Sequence, residues 1–286
     1  MGRLIVNADD FGLTAGVNRA IVDLHQAGVL TSTSLMARAK ATKEAIHIAL
    51  ATPSLGVGCH VVLVDGEPVL PPREIPTLVD QRTGHLHLTL GAFLRRLFTG
   101  RINPTEIEAE TAAQISYLQA NGVALTHIDT HKHTHMFPAV LRPVLRAART
   151  AGIHAVRRPF EPTWSLRATQ GAPWLRRAQV NLLRRLEPAF QRIVAEEGFV
   201  TTDGVLGMLA TGTLDSNAIS TLLKSIPSET WELVTHPGYN DADLAQAHTR
   251  LRASRDVERQ ALLTLREFPE MDEMDLISFA DLKGPS

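Results

Sequence analysis

At 286 residues the chain can bury a substantial core, and it fits one large domain better than two small ones. Hydrophobic residues make up 44% and charged residues 21%, which excludes a disordered or fibrous chain; a formal net charge of −1 leaves no global field to recruit nucleic acid. Cys59 is the only cysteine, so no intramolecular disulfide is expected, which suits a reducing compartment. The start, "MGRLIVNADD", enters a strand-like run with no basic-then-apolar leader, and no apolar stretch reaches the roughly 18 residues of a membrane span. A cytoplasmic globular protein is expected.

In chain order the elements alternate. "RLIVNA" is short, β-branched and continuous, the pattern of a buried strand. "TAGVNRAIVDLHQAG" predicts a helix capped by Thr14 and stopped by Gly28. "TSTSLMA" is a second strand, "ATKEAIHIALAT" a second helix ended by Pro53, and "LGVGCHVVL" a third strand. A long irregular connection follows over about residues 64–88, broken by Asp65-Gly66 and Pro71-Pro72. Connections of that length are more often functional than idle. "NPTEIEAETAAQISYLQANG" is the clearest helix, with Asn103 as cap and Pro104 at its first position.

"ALTHIDTH" predicts the fourth strand, followed by a helix near "AVLRPVLRAARTAG" disturbed at Pro143, and "IHAVRRP" the fifth. Residues 164–192 read as irregular, Arg-rich helix. Later strands are expected in "FVTTDGVLG", "WELVTHPG" and "DLISFADL", with helices around 215–225 and 241–267. Such alternation argues for an α/β fold, a distorted or partly closed (β/α) barrel of parallel strands with crossover helices. A doubly wound open sheet is the alternative, but no Gly-rich phosphate fingerprint follows the first strand.

Chemistry collects at the predicted strand ends. Asp9 and Asp10 close the first strand, His60 lies late in the third, His131 just past the fourth, and His236 ends "WELVTHPG". In a βα barrel these ends converge on one face. One carboxylate with two imidazoles suits a divalent ion with open positions, and a neighbouring carboxylate could act as a general base. Taken singly, each piece is ordinary: adjacent aspartates form turns, and a strand histidine usually packs in a core. The run "THIDTHKHTHMF" is more specific, placing His127, His131, His133 and His135 within nine residues. The coincidence of all these groups at strand ends carries the argument.

The chain resembles the YdjC-like carbohydrate deacetylases. The resemblance rests on "LIVNADDFGLTAGVNRAI", "GVLTSTSLMA", "LGVGCHVVL", "THIDTHKHTHMFP", "VRRP" and "THPG", anchors that run from residue 4 to 238. It implies a single domain over residues 1–286 with an Arg-rich helical insertion at about 160–195. It implies Asp10, His60 and His131 as ligands of one divalent ion: zinc is expected, with Mg, Mn, Co and Ni compatible with the donor types. It implies Asp9 as general base and His236 as general acid. Arg157 is expected to orient the base or touch substrate, and His133 and His135 to contact substrate or support the site, with His127 in their surroundings. "HVVLVDGEPVLPPREIPTLVD" is most similar to the branch associated with hopanoid biosynthesis, which removes the N-acetyl group from an N-acetylglucosaminyl hopanoid. The chitooligosaccharide deacetylases are the other branch weighed. A different metal hydrolase and a non-catalytic sugar-binding protein stay open beside them, and a homo-oligomer is compatible.

One stretch invites a second expectation. From Arg157 to Arg192 there are eight arginines against two acids, Glu161 and Glu187. On a helical wheel Trp174, Leu175, Ala178, Leu182 and Leu186 share an arc opposite Arg176, Arg177 and Arg184, with Arg185 near the boundary. That pattern predicts either a helix docked on the barrel with a solvated basic face, or one in peripheral contact with anionic lipid at the inner membrane face.

Overall fold

In the computed structural model, which describes residues 2–169 and 171–282, parallel strands curl into an irregular barrel wrapped by helices. The strands are β1 (Gly2–Phe11), β2 (Ser32–Leu35), β3 (Gly56–Val61), β4 (Leu125–Thr130), β5 (Gly204–Leu206), β6 (Thr230–Thr235) and β7 (Met274–Leu276). They lie in the order β4-β3-β2-β1-β6-β5, all parallel, and β7 adds beside the start of β1. The α/β barrel expected from the alternation is therefore present.

The first crossover forms as its residues dictate. Helix α1 (Ala15–Gln26) begins at Thr14, whose hydroxyl accepts from Val17 N–H, and stops before Gly28 at φ +72°. Helix α2 (Thr42–Ala51) ends ahead of Pro53. Helix α3 (Leu90–Phe98), capped by Thr89, lies in a stretch the sequence pattern leaves unassigned. Helix α4 (Pro104–Ala120) carries the expected Asn103 cap and also buries two acids that hold the long connection. Glu110 accepts from Val69 and Leu70 N–H, and Glu106 from Thr77. Helix α5 (Pro138–Thr150) runs through Pro143 without ending, so the expected disturbance is confined to one missing backbone donor.

The far side of the barrel departs from the sequence expectation. "IHAVRRP" makes only bridges, Ile128 with Val156 and Ala155 with Val200. Pro159 has no N–H to continue a ladder. Residues 155–160 still connect the two sheet edges, because Arg157 N–H donates to the Ile128 carbonyl and Val205 N–H to that of Phe160. In "FVTTDGVLG" only Gly204–Leu206 is regular strand, and the Asp203 carboxylate accepts the Thr230 N–H in place of a backbone partner.

The Arg-rich stretch folds as α6 (Thr163–Ala168), α7 (Trp174–Leu183) and α8 (Glu187–Glu196). The side of α7 expected to dock is the side that faces solvent. Trp174, Leu175 and Leu182 are 78%, 55% and 60% exposed, and no residue of α7 is buried. The arginines turn inward instead. Arg176 donates to the Met208 and Thr211 carbonyls, Arg177 to those of Leu166, Thr169 and Ala172, and Arg184 to the Thr163 hydroxyl. The segment is irregular and leaves many carbonyls unpaired by backbone, and guanidinium groups supply the missing donors. The chain continues through α9 (Ser216–Leu223), α10 (Ala242–Gln246) and α11 (Ser254–Leu263). Among the described residues no helix is long and apolar enough to cross a membrane.

Candidate active site

Successive residues on a strand point to opposite faces, so two adjacent aspartates should diverge. They converge here because the β1–β2 register shifts between Ala8 and Phe11 and Asp10 adopts φ +64°. That left-handed conformation costs a non-glycine residue about 1–3 kcal/mol and marks a functional site more often than an accident. Both carboxylates are buried within the barrel mouth.

Three donors face one point. Asp10 Oδ1 lies 3.6 Å from His60 Nε2 and 3.3 Å from His131 Nδ1, and the two imidazole nitrogens are 3.3 Å apart. Metal–ligand bonds of about 2.0–2.2 Å at tetrahedral angles separate donors by about 3.4 Å. Asp10 Oδ1 is buried and has no hydrogen-bond partner of its own. His60 Nδ1 sits 2.9 Å from Asp129 Oδ1, its register partner across β3–β4, which leaves the Nε2 lone pair for the shared point. The cluster fits a divalent metal. Burial disfavours a charge on His60, but Asp129, Asp9 and Asp10 outweigh it and raise its pKa to about 9. The Asp9–His60–Asp129 group is also close-packed, but there the guanidinium of Arg157 already supplies the positive charge.

Arg157 organises the floor of the site. It is fully buried, donates from Nη1 and Nη2 to both Asp9 oxygens at 2.9 and 2.6 Å, donates from Nε to Glu232 at 2.8 Å, and pairs with Asp129. Burial alone would raise the Asp9 carboxyl; Arg157, helped by His60 and His236, reverses this and holds it below the ordinary range. One guanidinium among three carboxylates leaves one poorly compensated. That one is Glu232, which burial, against the pull of Arg157, pushes up to about 7. His236 follows β6, with Nε2 3.8 Å from Asp9 Oδ2. Its backbone N–H donates to Glu258 Oε2 at 2.7 Å.

The remaining histidines differ from one another. His135 is fully buried, with Nδ1 2.8 Å from the Thr130 hydroxyl and Nε2 3.1 Å from the Arg157 carbonyl. Both ring nitrogens are taken by protein. Of the two roles expected from the sequence for His135 and Arg157, substrate contact or support of the site, this burial fits support and not substrate contact. His127 is one layer deeper on β4, stacked on Phe279 at 3.9 Å between centroids, and burial lowers its pKa to about 3. Gly58 makes room for it, since a Cβ there would meet the imidazole at 2.3 Å. His133 is half-buried with an unpartnered Nδ1. Lys132 and His133 both have positive φ, and this turn separates His131, facing the donor cluster, from His135 beneath it.

Sequence reasoning gave no role to Asp129, Glu232, Arg255 or Glu258. Glu232 left a signal: an acid between Trp231 and Leu233 on an apolar strand is rarely placed there without a buried partner. Arg255 and Glu258 left none, because a polar helix hides which of its charges turn inward.

Fold and cluster together define a parallel α/β barrel with a metal-competent centre at the carboxyl ends of β1, β3 and β4. The family model described as YdjC-like protein matches residues 3–270, and the chain belongs to that family. A carbohydrate deacetylase of Thermoanaerobacter pseudethanolicus is 28% identical, with 92% of this chain and 91% of the relative covered. A carbohydrate deacetylase of Brevibacillus brevis is 43% identical over 51% of this chain, which spans about half (55%) of that relative's length. A chitooligosaccharide deacetylase of Salmonella typhimurium is 40% identical over 52% of this chain and 57% of the relative. Among solved structures, one titled a putative cellobiose-phosphate cleavage protein from Enterococcus faecalis V583 superposes with a TM-score of 0.77 at 24% identity, covering 97% of each chain, a likeness of fold.

Proposed function

We propose that this chain is a metal-dependent carbohydrate N-deacetylase, a single domain over residues 1–286. The observation that carries the reading is the unpartnered Asp10 Oδ1 facing His60 Nε2 and His131 Nδ1, beside a second, arginine-held carboxylate. Two imidazoles and one carboxylate suit zinc. A divalent ion held there would supply Lewis acidity to an amide carbonyl and lower the pKa of water. Arg157 keeps Asp9 ionised and oriented, so that Asp9 accepts the proton of the attacking water. His236, held at its backbone by Glu258, protonates the departing amine, and half-buried His133 is left to contact substrate. Names of the matched relatives support an N-acetylated sugar as substrate.

Within that class the reading favours an N-acetylglucosaminyl hopanoid glycolipid handled by a cytoplasmic protein in peripheral contact with the inner membrane face. Two features support an apolar aglycone. A cleft of about 880 Å³ has Leu13, Met36, Leu88 and Tyr117 in its walls and shares Asp65 with the site rim, where Asp65 pairs with Lys132. The outward apolar face of α7 is the second. The Salmonella relative's name favours a chitooligosaccharide as the alternative, of which diacetylchitobiose is the one to test. Mass spectrometry after incubation with each substrate decides between them: loss of one acetyl group from the glycolipid but not from chitobiose is expected, and loss from neither overturns the deacetylase reading. His60→Ala should lose both bound metal and turnover while remaining folded; normal metal content in that variant would remove His60 from the ligand set.

A further inference from the structure

Helix α11 lies beyond the last motif of the chain, yet it buries two charges. Arg255 is fully buried and Glu258 nearly so, one turn apart on the same face. Arg255 Nη2 donates to Asp10 Oδ2 at 2.5 Å, across 245 residues of sequence. Glu258 accepts the His236 N–H at 2.7 Å and the Gly212 N–H at 3.3 Å. Gly238 packs tightly against this side chain, and a Cβ there would lie 3.1 Å from Arg255 Cδ. A single helical turn therefore touches both the carboxylate of the donor cluster and the loop that carries His236.

A carboxylate with two free oxygens can rotate and offer either or both to a cation. One oxygen tied to a buried guanidinium is fixed, and the other then has one direction. This matches what is seen at Asp10: Oδ2 is bound to Arg255, while Oδ1 is left without a partner and faces the two imidazoles. Lysine could supply the charge but not the planar, directed donor.

We propose that Arg255 is a positioning residue for the metal centre, fixing Asp10 as a one-oxygen ligand, and that Glu258 separately positions the His236 loop. The inference rests on the metal reading above, and zinc affinity of the whole protein tests the two apart. Competition with a chromophoric chelator would be measured for wild type, Arg255→Lys, Glu258→Gln, Asp10→Asn and the Asp10→Asn/Arg255→Lys pair. Removing an outer-shell partner of a ligand typically costs about 10–100-fold in metal affinity, and that loss is expected for Arg255→Lys. Glu258→Gln should keep wild-type zinc affinity and lower kcat with KM unchanged. The double variant should bind zinc no more weakly than Asp10→Asn alone, because Arg255 acts through Asp10.

Wild-type affinity in Arg255→Lys, or additive losses in the double variant, would overturn the positioning role. An equal loss in Glu258→Gln would also overturn it, since any damage to α11 would then open the site. Arg255→Gln, which removes the charge and keeps an amide donor, repeats the reading if the lysine variant does not fold. Failure of both to fold assigns Arg255 to barrel stability and overturns the proposal. Wild-type protein that binds no zinc, manganese or cobalt removes the metal reading and this inference with it.

Discussion

The barrel centre and the helical segment outside it both rely on arginine, in opposite ways. At the centre one fully buried guanidinium, Arg157, serves three carboxylates: Asp9, Asp129 and Glu232. In the segment Arg176, Arg177 and Arg184 serve neutral oxygens, chiefly carbonyls that no ladder pairs. The first arrangement follows from strand parity. Asn7 and Asp9 on β1, His127 and Asp129 on β4, and Glu232 on β6 are all drawn inward by alternation, so their charges must be settled among themselves. The second follows from irregular backbone, which needs donors more than it needs an apolar seam. A charge on a strand is therefore placed by register, whereas a charge on a helix is placed by whatever the helix meets.

The largest test of that contrast is Arg157→Met. Breaking a buried ion pair by removing one partner costs about 3–5 kcal/mol, and here three acids lose theirs. Urea unfolding should show a loss of at least that order or no folded protein. Arg177→Met removes hydrogen bonds to the neutral carbonyls of Leu166, Thr169 and Ala172 without stranding a charge, at about 1 kcal/mol for each hydrogen bond. Equal losses in the two variants would erase the distinction.

Next in size is the division of labour between the adjacent aspartates. Asp9→Asn should retain metal and lose about 10²–10⁴ in rate, the usual worth of a general base. Asp10→Asn should instead weaken metal binding. The reverse pattern, read by metal content and kcat, would exchange their roles.

Glu232 gives a pH signature confined to the centre. Its pKa rises from 4.5 to about 7 on folding, chiefly through burial against the pull of Arg157. A carboxyl raised in the folded state binds more protons when folded. Its contribution is therefore fully present below about pH 4.5 and lost as pH rises through about 7. At about 1.4 kcal/mol per pKa unit the loss is of order 3 kcal/mol. Glu232→Gln should flatten the stability profile between pH 4.5 and 7, as followed by urea midpoints; an unchanged slope would mean that Glu232 stays ionised throughout.

Much of the centre was legible because strand ends are legible. "NADDFG", "GCHV" and "THIDTH" each announced a buried run ending in metal-competent groups, and parallel topology then placed Asp10, His60 and His131 together. The local geometry was not legible. The bulge with positive φ at Asp10 and the paired left-handed residues Lys132 and His133 are backbone choices that propensity does not forecast. Nor was the fifth strand, where Pro159 and the demands of Arg157 replace a ladder with isolated bridges. On α7 the wheel found the amphipathic division but left open which side is buried, since periodicity shows only that two faces differ; the structure goes against the docked reading, because the apolar side faces solvent.

The smallest effect on stability tests what the outward face of α7 is for. Trp174, Leu175 and Leu182 make little packing contribution, so Trp174→Ser with Leu182→Gln should change stability by no more than about 0.5 kcal/mol. The same double change should matter at a lipid surface. From residue 162 to 186 there are five arginines and no acid, and the carbonyl oxygens that Arg176 and Arg177 hydrogen-bond carry no countercharge. A second copy of this surface would be repelled by the same field, whereas anionic headgroups would be attracted and the three apolar side chains could enter the acyl boundary without needing a shaped partner. Sedimentation with phosphatidylglycerol vesicles at low salt should therefore retain wild-type protein, release it as salt rises, and fail for the double variant. Wild-type protein that stays in the supernatant at low salt would leave α7 a structural element and remove its support for a glycolipid substrate, without touching the donor cluster at the barrel centre.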